Sequence, residues 1–226
     1  MSATGERIAL ETVSVVDAAA ARLRESLFAG EFRAGEELRD TRIAADYGIA
    51  RPTARSVVQR LVAEGVLVRE PGLSARVRAF PPGEVRDLFR VRRLIERDAI
   101  AEIHARRGDL GSVRLALDGF AALPDEVSWS RVAEADVAFH SAVVAAAGSP
   151  RLRDIFAGIA GELRLLIALL RPHYSGGSVL YAEHEELFAL LQTAPLDRLQ
   201  QAWDEHLRSA QSVLTGGNPW GSRTLR

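Results

Sequence analysis

Apolar residues recur along most of this chain at the three- and four-residue spacing of helices. Val16, Ala20, Leu23 and Leu27 form the first stripe. Ser14 and Asp17 precede it at the spacing of a capping box, and Gly30 ends it. A connector through Gly35 leads to a short helix at about 41–47 that carries Ile43 and Ala44. Gly48, Ile49 and Ala50 then turn the chain into a helix over 50–65. Ala54, Val57, Val58 and Leu61 share one face of it, and Arg51, Arg55 and Gln59 share another. Pro52 lies in the first turn, where its missing N–H is harmless, and Gly65 follows the last periodic residue. The period then changes to two. Residues 66–69 and 75–80 are β-rich, with Ala75, Val77 and Ala79 alternating with Arg76 and Arg78 around a Pro71-Gly72 turn. Helix, short turn, helix and hairpin together predict a winged helix-turn-helix over residues 14–80.

Pro81, Pro82 and Gly83 break the pattern and mark a linker at 81–83. The remainder reads as six helices near 84–106, 110–122, 129–147, 150–171, 177–192 and 195–215, punctuated by glycine and proline. The expected architecture is mainly α: an N-terminal winged helix-turn-helix plus a C-terminal all-α antiparallel helical bundle over 84–215. Residues 1–13 read as a loosely ordered arm and 216–226 as a tail that Trp220 could anchor.

Composition narrows the function. With 226 residues, 47% hydrophobic and 26% charged, the chain reads as a globular protein of two modest domains. It has no cysteine, which excludes disulfides, thiolate metal sites and a cysteine nucleophile. The net charge of −1 excludes a bulk polycation but not a local basic patch. All 29 basic residues are arginine, and residues 50–78 hold six of them against Glu64 and Glu70. Met1–Val13 lacks the apolar core of a leader, and the run 155–170 is interrupted by Glu162 and Arg164, so no membrane span and a cytoplasmic, nucleoid-associated protein are expected.

The positive excess coincides with the helix over 50–65. Docked by its apolar face, this helix offers Arg51 and Arg55 near its N-terminus, where a recognition helix reaches deepest into the major groove. An arginine there can bond two acceptors of one guanine. Arg69, Arg76 and Arg78 of the hairpin are placed to meet phosphates, which set affinity and register. Ordinary solvated arginines would look the same in isolation; the flanking elements favour the DNA reading.

The bundle carries polar residues where apolar ones belong. Asp136 and His140 fall on the line Val132, Phe139, Val143, Ala147. His184 sits among Leu180, Leu187 and Leu191, and His206 is in line with Leu199, Ala202 and Val213. A buried ionised carboxylate is costly unless paired or coordinated. Asp and His at i, i+4 can grip one ion, and imidazole plus carboxylate suits Zn²⁺, Ni²⁺, Fe²⁺ or Mn²⁺. Arg92, in register with Leu88, Ile95 and Ala99, either pairs with Glu96 one turn later or presents its guanidinium to a ligand carboxylate beside the metal. His104 and His173 read as surface residues.

These features together resemble the GntR-type transcriptional regulators of the FadR subgroup. In the first domain the resemblance rests on Leu38, Ile43-Ala44, Gly48-Ile49, Arg51, Arg55, Leu61 and Glu64-Gly65. In the second it rests on the Asp136-x-x-Phe139-His140 motif, Gly148, Glu183-His184 and His206-Leu207. The resemblance implies a homodimer that binds a short inverted repeat of double-stranded operator DNA and responds to a small organic acid held in the helical domain. It implies DNA contacts at Arg51, Thr53, Arg55 and Gly72, to which Gln59, Arg42 and Arg76 are added as neighbours. It implies a divalent metal ion on Asp136, His140, His184 and His206, and an effector beside Arg92 and Glu96. The chain departs from the usual pattern at Ala50, at Pro52-Thr53, at Ser56, at Thr41-Arg42 and at Ser149, so the half-site sequence does not transfer. The function expected is an effector-controlled DNA-binding regulator, most simply a repressor. A metallohydrolase with an accessory DNA-binding module, and a regulator whose metal is purely structural, are the rivals.

Overall fold

A computed structural model describes residues 14–124, 126–169 and 177–216. The expected arm at 1–13, His173 and the tail beyond Gly216 with Trp220 lie outside the described residues. Among the described residues there are nine helices, in the order read from the spacing, and three short strands. The first domain comprises α1 (Val15–Phe28), β1 (Glu37–Leu38), α2 (Asp40–Asp46), α3 (Arg51–Ala63), β2 (Leu67–Val68) and β3 (Ala75–Val77). The bundle comprises α4 (Pro82–Arg106), α5 (Gly111–Ala121), α6 (Trp129–Ala146), α7 (Pro150–Leu169), α8 (Gly177–Thr193) and α9 (Leu196–Leu214).

Local chemistry sets the ends of these elements. Ser14 Oγ accepts the Asp17 N–H at 3.1 Å and caps α1. Gly65, with φ of 74°, lets the Val66 N–H reach back to Leu61 O at 3.1 Å and closes α3. The apolar stripes bury as their spacing requires: Leu23, Leu27, Ile43, Ala54, Val57, Val58 and Leu61 are all buried.

Two expectations change. Pro82 and Gly83 are not a linker; they are the first residues of α4, because proline tolerates the first helical turn. The wing is a three-stranded antiparallel sheet in the order β1-β3-β2 and not a lone hairpin. Leu38 pairs with Ala75 and Leu67 with Val77. The two-residue β1 is too short to show any alternation in sequence.

In the bundle α6 packs on α5 and α7, α4 on α9 and on α6, and α8 on α5 and α9. The two domains touch closely. A Cβ on Gly161 of α7 would lie 1.7 Å from Glu64 O at the end of α3, and one on Gly65 would lie 2.8 Å from Glu162 Cγ. Only glycine at 161 lets the end of α3 rest on α7. Arg78, after β3, reinforces the contact through Glu162 at 3.2 Å and Glu84 at 3.6 Å.

This contact generates a paired test. Gly161→Ala should destabilise the protein by about 1–3 kcal/mol through overpacking. Gly158→Ala, one turn earlier with open space around it, should stabilise or leave it unchanged. Denaturant unfolding of both variants measures this; equal midpoints would contradict the close approach.

Candidate functional site

Three helices bring the four polar residues of the bundle to one place. Asp136 and His140 come from α6, His184 from α8 and His206 from α9. Each offers one ligand atom, and these atoms all lie within 4.8 Å of one another. Asp136, His140 and His184 are buried, while the His206 side chain is 10% exposed and forms the accessible side.

Each imidazole is held from outside through Nδ1. His140 Nδ1 lies 2.7 Å from Glu96 Oε2, His184 Nδ1 lies 2.7 Å from Leu180 O, and His206 Nδ1 lies 3.4 Å from Glu183 Oε2. All three partners are acceptors, which assigns the hydrogen of a neutral ring to Nδ1 and turns the lone pair of Nε2 the other way. His140 Nε2 and His184 Nε2 are 3.2 Å apart, and His184 Nε2 is 3.1 Å from Asp136 Oδ1. A neutral His184 has one hydrogen, yet it faces an acceptor at each nitrogen. Asp136 Oδ2 is buried without a hydrogen-bond partner, and the nearest charge is Arg92 Nη2 at 4.0 Å. Such a set of converging lone pairs is resolved by a cation. Three imidazoles and a carboxylate fit a borderline divalent metal ion.

Glu96 lies behind His140, within the outer support of the cluster. Its Oε1 accepts from Arg92 Nε at 2.6 Å, and its Oε2 accepts from His140 Nδ1 and from Trp203 Nε1 at 2.5 Å. Of the two readings of Arg92, the pairing with Glu96 is present in the structure, and both Glu96 oxygens are engaged by protein donors. Burial opposes ionisation of Glu96, but the His140 ring, the Arg92 guanidinium and the Trp203 N–H outweigh it and hold the carboxyl well below its usual range. Asp136 behaves alike: burial is outweighed by His184, His140 and Arg92. Burial pulls His140 down to about 4, against the pull of Glu96, so at neutral pH its ring is uncharged and Nε2 is free to coordinate.

The second candidate surface lies on the first domain. Arg51, Arg55 and Gln59 are exposed along one face of α3, with Thr53 half-buried beside them. Arg51, Arg55 and Gln59, together with Asp40, Thr41, Pro52 and Ser56, line a shallow depression. Asp40 Oδ2 faces Arg55 Nε at 3.7 Å and Arg69 Nη2 at 3.3 Å, tying the recognition helix to the wing. Gly72 is exposed in the wing turn, and Arg76 is exposed with Nη1 donating to Gly35 O at 3.1 Å. Arg42 leans on Glu36 at 3.2 Å and Asp46 at 3.5 Å. Arg78 does not join this surface; its guanidinium is taken up by Glu162 and Glu84 at the domain contact. His104 is exposed, as expected.

Three contributors have no role assigned from the sequence. Glu183, beside His184 on α8, reaches His206 on α9 at 3.4 Å. Trp203 on α9 gives its indole N–H to Glu96, as buried indoles usually find a partner. Asp40 on α2 joins Arg55 to Arg69.

The comparisons with known proteins agree with this layout. The FCD domain family matches residues 87–209, and the bacterial regulatory proteins of the gntR family match residues 16–77. Among solved structures, the chain is similar to a transcriptional regulator GntR from Rhodococcus sp. RHA1. The identity is 23% over 91% of this chain and 100% of that one, with a TM-score of 0.71. It is also similar to E. coli McbR/YncC, with 17% identity over 91% and 99% of the two chains and a TM-score of 0.63. Lar of Listeria monocytogenes follows at 14% identity over 91% and 97%, with a TM-score of 0.54. At these identities the likeness is one of fold. No curated protein matches the chain.

The depressed pKa values fix how the metal-free protein responds to acid. His140 titrates near 6.5 when unfolded and at about 4 when folded, so between these values the unfolded chain binds the extra proton. Stability therefore falls as pH drops from about 6.5 to about 4, by up to about 1.4 kcal/mol per pH unit for this group. Glu96 and Asp136, lowered in the fold, contribute stability above the ordinary carboxylate range that is lost below it. Thermal unfolding in chelator at pH 7 and pH 4.5 measures this, and an unchanged midpoint would contradict a buried, neutral His140.

Proposed function

The chain belongs to the gntR family of bacterial regulatory proteins, with an FCD domain following its helix-turn-helix, and from that premise we propose how it senses and what it grips. The family is one of transcriptional regulators and not of enzymes, which sets aside the metallohydrolase reading. In our reading a divalent cation is held by Asp136, His140, His184 and His206. The observation that carries this is His184, set between Leu180 O and Asp136 Oδ1 with one hydrogen for two acceptors. When bound, the ion supplies a Lewis-acidic anchor whose open coordination positions attract a small carboxylate effector. Arg92 supplies the complementary charge: its Nε is committed to Glu96, while Nη2 stands 4.0 Å from Asp136 Oδ2 on the side of the cluster.

On the DNA side, Arg51, Thr53, Arg55 and Gln59 enter the major groove of an operator half-site, and Gly72, Arg76 and Arg42 meet its backbone. The exposure of these residues on one surface supports this. A homodimer matched to a short inverted repeat would place two such surfaces on one DNA face. Effector binding regulates by favouring one arrangement of the two DNA-binding domains over another. Release of operator on binding, hence repression, is the sign we propose. The route open to it is α7, which packs on α6 beside the cluster and meets the end of α3 at Gly161.

Two measurements test the two halves. Arg51→Ala and Arg55→Ala should each cost about 1–3 kcal/mol of operator affinity, roughly tenfold or more, in a titrated mobility shift; unchanged shifts in both would refute the recognition-helix assignment. His184→Ala should lower the metal content of purified protein to well below one ion per chain, and full retention by elemental analysis would refute its role as a ligand.

A further inference from the structure

Trp203 is accounted for neither by the ligand set nor by the family resemblance. It is fully buried on α9, three residues before His206. Its ring stacks near-parallel on Phe139 at 6.2 Å and stands edge-on to His140 at 5.8 Å. A phenylalanine or leucine would fill this space with no polar atom to satisfy. The indole instead donates to Glu96 Oε2 at 2.5 Å, the same oxygen that receives His140 Nδ1 at 2.7 Å. Oε1 receives Arg92 Nε at 2.6 Å. The carboxylate of α4 is thus fixed by one donor from its own helix, one from α6 and one from α9.

Arg92 and His140 each hold one oxygen of this carboxylate, and the indole adds a second donor to Oε2 from a third helix, so the oxygen that orients His140 is held from two sides. The bond ties α9, which carries His206, to α4, and through the shared carboxylate to α6, which carries Asp136 and His140. We propose that Trp203 is a positioning residue of the metal centre: its indole N–H fixes Glu96, and Glu96 in turn fixes His140 with Nδ1–H outward and Nε2 toward the ion. The inference rests on the metal reading above. Groups that orient a ligand from behind typically change metal affinity by about 10–100-fold.

The test is a cycle of variants on the full chain, read as Zn²⁺ affinity by competition with a chromophoric chelator. Trp203→Phe keeps the ring and removes the N–H, and should weaken Zn²⁺ about tenfold or more. In a Glu96→Gln background the same change should have a much smaller effect, because the carboxylate it fixes is gone. Unchanged affinity in Trp203→Phe, or the same factor in both backgrounds, would overturn the proposal and reduce Trp203 to packing. A wild-type chain that does not bind Zn²⁺, Ni²⁺, Fe²⁺ or Mn²⁺ would overturn the metal reading itself, and this inference with it. Should Trp203→Phe fail to fold, the wild-type protein answers by NMR. The Trp203 indole ¹H–¹⁵N signal should move on addition of one equivalent of Zn²⁺, and a signal that stays in place contradicts the relay.

Discussion

An electrostatic conflict in the middle of the helical bundle governs the rest of this structure. A carboxylate and three imidazoles turn their lone pairs toward one another inside an apolar shell, where an unmet polar group costs about 1–3 kcal/mol. Their outward atoms are already fixed, by Glu96, Leu180 O and Glu183. The remaining freedom is to place positive charge between them. A proton can do this for one pair at a time; a divalent ion can do it for all four.

The same conflict explains why the helices meet as they do. Trp203 of α9 and His140 of α6 share the Glu96 carboxylate of α4, so the support of the cluster binds three helices together. From there the contacts lead outward without a gap. α6 packs on α7, and α7 presents Gly161 to the carbonyl of Glu64 at the end of the recognition helix. Glu64 is itself gripped by Arg24 of α1, at 2.7 and 2.8 Å. A displacement at the cluster therefore has packed elements to act on, and the arginines proposed to meet DNA lie on α3.

Much of this was legible in the chain. The three-and-four spacing located every helix to within a few residues, and the polar residues on apolar faces marked the cluster because burial makes them conspicuous. What periodicity cannot carry is partnership between helices. Nothing in the sequence says that Glu183 of α8 reaches His206 of α9, or that the Trp203 indole finds Glu96 across the bundle. Nor does it say that Arg78, which alternates with apolar residues over 75–80, follows β3 and pairs with Glu162. Pro82 and Gly83 read as a break because both residues punctuate loops. The fold uses them to begin a 25-residue helix. β1, at two residues, has no pattern to read.

The most direct measurement is anomalous diffraction from crystals of the protein purified without chelator, collected on both sides of the Zn, Ni, Fe and Mn absorption edges. The account predicts one strong metal peak in direct contact with Asp136, His140, His184 and His206. Density explained by water alone, or a metal peak only on the surface, would contradict it.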